Sequence, residues 1–249
     1  MPLVDTHCHI HESDYPLPIN DVLTRANYAG VEKMICVGTS EQSSAGAISF
    51  ATKYEHIVAA VGVHPHDTKD GYAEIAKLAS EQKVVAVGEI GLDYYYKHSP
   101  RDMQIAALES QIQTALDNKL PIIFHVREAF KDFWPIVDNF QGITGVLHSF
   151  TDIQANLDLA FERGLLVGVN GISTFTKNAV QQQMYATIPL DKMLLETDAP
   201  FLTPTPYRGT INEPAFVSEV AKHHAAIRGV DLSEVASATT ANANALFTI

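Results

Sequence analysis

Eight short apolar runs rich in Val and Ile recur along the chain, at 3–9, 33–38, 57–64, 84–92, 121–126, 145–150, 165–171 and 193–198. Near-continuous apolar runs of this length read as strands buried on both faces, the mark of a parallel sheet. Amphipathic stretches lie between and after them, at 19–29, 41–55, 72–82, 101–118, 127–139, 152–162, 176–187 and 213–228, and 233–246 reads as a closing helix. In the longest, Ile105, Leu108, Ile112, Ala115 and Leu116 fall on one helical face and are expected to cover the sheet. Eight strand–helix units without a linker or composition break predict a (β/α)8 TIM barrel, a single domain over residues 1–249. An open doubly wound sheet would place a Gly-rich turn after the first strand, where this chain has His7-Cys8-His9.

Composition narrows the class. With 249 residues, 46% hydrophobic and 18% charged, the chain can bury a sizeable core and does not read as disordered. It has no apolar run of about 18 residues or more, so no membrane partner is expected. Nor does it open on a basic region followed by an apolar one, and a cytoplasmic location is expected. Cys8 and Cys36, each inside a predicted strand, are expected to be buried free thiols. A net charge of −12 argues against broad adhesion to nucleic acid or anionic lipid. It leaves room for an enzyme whose cleft is made locally positive by metal and a few arginines.

The candidate chemistry lies at the strand ends. In a barrel, functional side chains come from the C-terminal ends of the strands and the loops after them. Strand 1 ends with His7 and His9, which share a face because side chains alternate along a strand. Strand 3 ends with His64 and His66, strand 4 with Glu89 and Asp93, strand 5 with His125, strand 6 with His148, and strand 8 with Glu196 and Asp198. Four histidines, His7, His9, His125 and His148, together with Glu89 and Asp198 are too many ligands for one tetrahedral ion with an open position. Imidazole with carboxylate suits Zn, Mn, Fe or Ni, and the carboxylates admit Mg; two such divalent ions, with one carboxylate bridging, would use all six. Such a pair activates water, Asp198 can take the proton, and the reaction class is hydrolysis.

Other residues near this rim have two readings each. His64 and His66 either contact substrate or are structural. Glu196 is either a partner of a ligating His or lies deeper in the strand. Arg127 and Arg208 either face solvent or pair with a carboxylate, or serve as phosphate forks in a metal cleft. The aromatic run Tyr94-Tyr95-Tyr96 either packs or stacks a base. His11, His56, His98, His223 and His224 are given no role; His11 lies past the strand and the other four read as helix-end or surface residues.

Seven motifs, read together, resemble the TatD family of metal-dependent hydrolases in the amidohydrolase-like superfamily. They are Asp5-Thr-His-Cys-His9, Gly62-Val-His-Pro-His66, Gly88-Glu-Ile-Gly-Leu-Asp93, His125-Val-Arg-Glu-Ala129, Leu147-His-Ser-Phe150, Leu195-Glu-Thr-Asp-Ala-Pro200 and Arg208-Gly-Thr-Ile-Asn-Glu-Pro214. The resemblance implies a metal-dependent deoxyribonuclease of 3′ exonuclease type acting on single-stranded DNA or DNA 3′ ends. By motif it carries the metal ligands onto His7, His9, Glu89, His125, His148 and Asp198, with Glu89 bridging, and substrate contacts onto His64, Arg127 and Arg208. The chain departs from the family pattern at Thr210, Asn170 and Ala245, where relatives often carry Lys, Ser and Arg; the first change is expected to weaken a phosphate contact.

Two other functions fit parts of the pattern. A D-aminoacyl-tRNA deacylase, or another ester or amide hydrolase, would use the same water on a carbonyl carbon. A non-catalytic metal-binding scaffold would have lost a ligand, and all six are present. The oligomeric state expected is a monomer.

Overall fold

The computed structural model describes residues 2–249. Eight strands alternate with helices in the expected order. They are β1 Leu3–Cys8, β2 Val31–Val37, β3 Ile57–Val61, β4 Val84–Asp93, β5 Ile122–Arg127, β6 Gly145–Leu147, β7 Leu166–Val169 and β8 Met193–Leu195. The helices are α1 Ile19–Tyr28, α2 Glu41–Ala51, α3 Ile75–Leu78, α4 Arg101–Asn118, α5 Phe130–Val137, α6 Gln154–Glu162, α7 Ile172–Phe175, α8 Ala179–Thr187, α9 Val217–Arg228 and α10 Leu232–Phe247. Strand order in the sheet is sequence order, β1 to β8. That is the connectivity of a (β/α)8 barrel.

The predicted boundaries shift where the backbone turns. Strand 8 ends at Leu195 rather than 198, because Asp198 takes a left-handed φ of 61° that no strand accommodates. The helix expected from 127 starts at Phe130, because Glu128 is also left-handed, at φ 54°. The helix expected over 176–187 starts later, at Ala179, where Asn178 caps α8 by accepting from Val180 and Gln181 N–H, and the short α7 precedes the predicted stretch. The expected 72–82 helix is reduced to α3.

The chain divides into two compact units. One is the contiguous stretch Cys36–His148 and holds β3 to β6 in parallel register. Its β4–β5 pair sets Gly91 opposite His125. A Cβ at Gly91 would lie 1.8 Å from the His125 carbonyl oxygen, so only glycine lets the two strands approach this closely. Helix α4 covers β4 with a face rotated from the expected one, burying Gln104, Ala107, Leu108, Gln111, Ile112 and Ala115. The rotation has a physical reason. Gln111 accepts from Val63 N–H at 2.7 Å and donates to Val63 O at 3.2 Å. Gln104, two turns earlier, accepts from Asp93 N–H at 2.9 Å and donates to Asp93 O at 3.1 Å. Two buried amides thus bind backbone groups that the ends of β3 and β4 would otherwise leave unpaired.

The other unit joins the chain up to Ile35 with Ser149–Ile249. Here β7 and β8 pair in parallel, and Cys8, the last residue of β1, bridges to Ala199 beyond the end of β8. Both cysteines are buried thiols, and that of Cys8 donates to the Ile35 carbonyl at 3.5 Å. His224, expected near a surface, is fully buried on α9, with its Nε2 3.1 Å from the Ser173 hydroxyl and its Nδ1 2.7 Å from the Arg228 guanidinium. Among the described residues no helix is long and apolar enough to cross a membrane.

Candidate metal centre

In the unit that joins the chain up to Ile35 with Ser149–Ile249, His7 on β1 and His9, one residue past its end, are two positions apart, the spacing that puts extended side chains on one side. Their Nε2 atoms lie 3.2 Å apart, and Asp198 Oδ1 lies 3.4 Å from His9 Nε2 and 3.8 Å from His7 Nε2. The carboxylate separations exceed a hydrogen bond. They suit ligands sharing one ion, since bonds of about 2.1 Å at tetrahedral angles put ligand atoms about 3.4 Å apart. His7 is fully buried and His9 nearly so.

Asp5 anchors this arrangement. It accepts from the Thr197 hydroxyl at 2.6 Å and the Thr197 N–H at 2.9 Å, while Asp198 N–H donates to His7 O and His9 N–H to Ala199 O, each at 2.8 Å. Burial pushes the Asp5 carboxyl up to about 8 despite those donors. Asn212 clamps the loop after β8, donating to Thr197 O at 2.8 Å and Phe201 O at 2.5 Å. Glu196 accepts the Ser149 N–H at 2.6 Å and lies 3.4 Å from the Asn170 amide.

In the Cys36–His148 unit the convergence is on Glu89 Oε1. His125 Nδ1 is 2.8 Å away, His148 Nε2 3.6 Å and His64 Nε2 3.7 Å. His64, Glu89 and His125 each offer a ligand atom within 4.8 Å of the others, and this cluster could hold a metal ion. His64 is kept neutral, first by burial and then by the positive field of His125. His125 is pulled the other way. Burial alone would lower it, but hydrogen bonds to Asp93 and Glu89 raise it above the ordinary histidine value.

Asp93 was legible as part of a motif, yet its task was not. Its carboxylate takes four donors: His125 Nε2 and His66 Nε2 on Oδ2, each at 3.0 Å, and the N–H groups of Tyr95 and Tyr96 on Oδ1, at 3.0 and 2.9 Å. Burial alone would raise this carboxyl; the two rings and the Tyr96 N–H hold it well below the ordinary carboxylate range. With Nε2 of His125 engaged by Asp93, Nδ1 is the nitrogen that faces Glu89. The available signal was a second carboxylate four residues after Glu89 on the same strand face.

The arginines are held by rings. Arg127 Cζ sits 4.0 Å from the Tyr95 ring centroid and 4.8 Å from that of Tyr96. Arg208 Cζ sits 3.8 Å from the Phe175 centroid, and its guanidinium N–H donates to Thr203 O at 2.7 Å. His11 pairs with Glu12 at 3.3 Å.

The family description "TatD related DNase" matches residues 4–248. The chain belongs to the TatD family. It is 36% identical over 253 residues to a Bacillus subtilis (strain 168) relative named uncharacterized metal-dependent hydrolase YabD, covering 99% of each chain. It is 33% identical over 259 residues to the 3′-5′ ssDNA/RNA exonuclease TatD of Salmonella typhimurium, again covering 99% of each. The crystal structure of the TatD homolog YJJV from Escherichia coli K12 superposes with a TM-score of 0.91 at 28% identity, over 99% of this chain and 98% of that one. The fold is the (β/α)8 barrel, and the chain is a metal-dependent hydrolase of the TatD family.

Proposed function

We propose that this TatD-family chain is a deoxyribonuclease of 3′ exonuclease type, acting on single-stranded DNA or DNA 3′ ends through two divalent ions of Mg, Mn or Zn type. The observation that carries the reading is the pair of donor sets. His7, His9 and Asp198 stand at ion-sharing separations in one unit, and His125 and His148 gather on Glu89 in the other. In a (β/α)8 barrel the C-terminal strand ends form one rim. By the family motif His7, His9, Glu89, His125, His148 and Asp198 would hold the ions, and the whole chain would act as a single catalytic domain. A relative named as an exonuclease at 33% identity supports the substrate class.

When bound, the ions supply an activated water near neutral pH and offset charge on the phosphate. The chain's own residues do the rest. Asp198, fixed in its left-handed turn, accepts the proton of the attacking water. Neutral His64 presents an uncharged ring to a phosphate oxygen, and Arg127 and Arg208 hold further oxygens as forks. The chain is taken to work as a monomer in the cytoplasm.

Elemental analysis of the isolated protein, then cleavage of short single-stranded DNA with the metals found, tests the reading. Near-stoichiometric metal and release from the 3′ end are expected. Activity surviving a Glu89→Ala, Asp198→Ala double variant would assign it to a contaminant. Hydrolysis of D- but not L-aminoacyl-tRNA, with DNA untouched, would replace the nuclease by a deacylase.

A further inference from the structure

Strand β4 runs straight into a loop carrying Tyr95, Tyr96 and His98, all exposed. In the Cys36–His148 unit the exposed large apolar side chains are Tyr95 (50%), Tyr96 (42%) and Met103 (37%). Its exposed large aromatics are thus neighbours, two and three residues past the buried Asp93. Holding two such rings in water forgoes the burial that drives packing. The Phe and Trp rings of α5 in the same unit are buried.

The rings are also fixed. Asp93 Oδ1 takes the Tyr95 and Tyr96 N–H groups, while its other oxygen takes His66 and His125. One carboxylate therefore positions both the aromatic loop and the His125 ring. The rings then order one another. Tyr96 and His98 stack at 5.7 Å with planes 19° apart, Tyr95 meets Tyr96 edge-on at 4.7 Å, and His66 meets Tyr96 edge-on at 5.4 Å. Arg127 lies against both tyrosines, and among the described residues no carboxylate pairs with it. A guanidinium with its face on rings keeps its N–H edge for an anion.

We propose that Tyr95, Tyr96 and His98 form a stacking platform for one nucleobase of a single-stranded polynucleotide, with the phosphate beside that base on the edge of Arg127. The proposal rests on the phosphodiesterase reading and deepens it. A chain of net charge −12 cannot gather a polyanion by broad counterion release. Stacking on a few rings is sequence-tolerant and requires bases that are unpaired. The platform thus explains how an acidic protein selects single strands.

The test uses the metal-loaded protein and two readouts. In the first, short DNA strands carrying one abasic residue at successive positions are compared with intact ones, on wild type, Tyr96→Ala and Tyr96→Phe. Tyr96→Ala is expected to raise KM on intact strands about tenfold, the size of one base–aromatic stack, with kcat nearly kept. Tyr96→Phe should restore it, because the ring and not the hydroxyl stacks. An abasic residue at one position should cost wild type a similar factor and cost Tyr96→Ala nothing further. Equal damage by Tyr96→Ala on intact and abasic strands would overturn the platform. The second readout is binding, through quenching of a 2-aminopurine base in the strand, expected with wild type and lost in Tyr96→Ala. Quenching that depends on Tyr96 without any cleavage would sink the nuclease reading and keep the platform. Cleavage with neither coupling nor quenching would sink the platform alone.

Discussion

Asp93→Asn is the substitution that most directly probes how His125, a proposed ligand, is held. It preserves volume and leaves Oδ1 free to keep the Tyr95 and Tyr96 N–H groups. It replaces Oδ2, which takes His66 and His125 at 3.0 Å each, by an amide that itself donates. Each lost bond is charge-assisted and worth about 1.5–3 kcal/mol. The two are not equal. The His66 side chain is 26% exposed and can turn to water, so most of its share is recovered. His125 is tied to Glu89 on its other nitrogen and cannot turn without breaking that contact. The surviving cost is about 1.5–3 kcal/mol on the orientation of one ligand, or roughly ten- to a hundredfold in metal affinity. The assay is competition for Zn²⁺ against a chromophoric chelator, with a Co²⁺ absorption spectrum to report ligand geometry. His66→Ala, which removes only the recoverable contact, should move affinity less than threefold. An Asp93→Asn protein that binds Zn²⁺ like wild type, with an unchanged Co²⁺ spectrum, would refute the positioning argument.

Three further outcomes are expected. Gly168→Ala places a Cβ 2.2 Å from Glu196 Oε2, a side chain already held by the Ser149 N–H, so stability should fall by about 1–3 kcal/mol; an unshifted urea midpoint would show that Glu196 moves freely. Burial, then the charge of Arg228, keeps the fully buried His224 far below its ordinary pKa. The unfolded chain therefore binds its proton first as pH falls through about 6.5, and this one group costs about 1.4 kcal/mol per pH unit below that point; His224→Gln should flatten the wild-type slope between pH 6.5 and 5.5, and parallel slopes would contradict this. Chelation of the isolated protein should lower its melting temperature and added Mn²⁺ or Zn²⁺ should restore it, with about 2.7 kcal/mol gained at a free ion concentration of 100 Kd; indifference to chelator would mean the donor sets hold no ion.

The sequence carried the fold almost entirely, because eight Val- and Ile-rich runs at regular spacing leave few alternatives to a parallel sheet wrapped by helices. It also singled out the histidines and carboxylates that form the two donor sets, since each sits within a few residues of a strand end. What it could not give was the direction in which polar residues face. Gln104 and Gln111 lie outside the apolar stripe of α4, yet both are buried because backbone groups at the ends of β3 and β4 need partners. His224 read as a surface residue because a polar ring on a helix normally is one; Ser173 and Arg228, 51 residues before and four after, are what allow it inside. Asp93 was hidden for a similar reason. Its partners come from three segments, and only the folded chain brings them together.

The division of the chain also sets an order of assembly. Glu89, His125 and His148 belong to a unit made from one uninterrupted run, Cys36–His148. His7 and His9 are built first but are held in register by Asp5 bonding Thr197, 192 residues later, and by Asp198 N–H donating to His7 O. Contacts that remote in sequence form late in folding. During synthesis the middle of the chain is therefore expected to gather its donors while the first two histidines wait for the last strand. Ribosome-arrested chains with about 160 residues emerged from the exit tunnel should protect the middle run from protease and leave the first 30 residues open to it. Protection of both together would contradict that order. A newly made molecule would pass through a stage in which the donors of the middle run are gathered and the first two histidines are not yet in place, so the two donor sets differ in when they can first meet a metal ion.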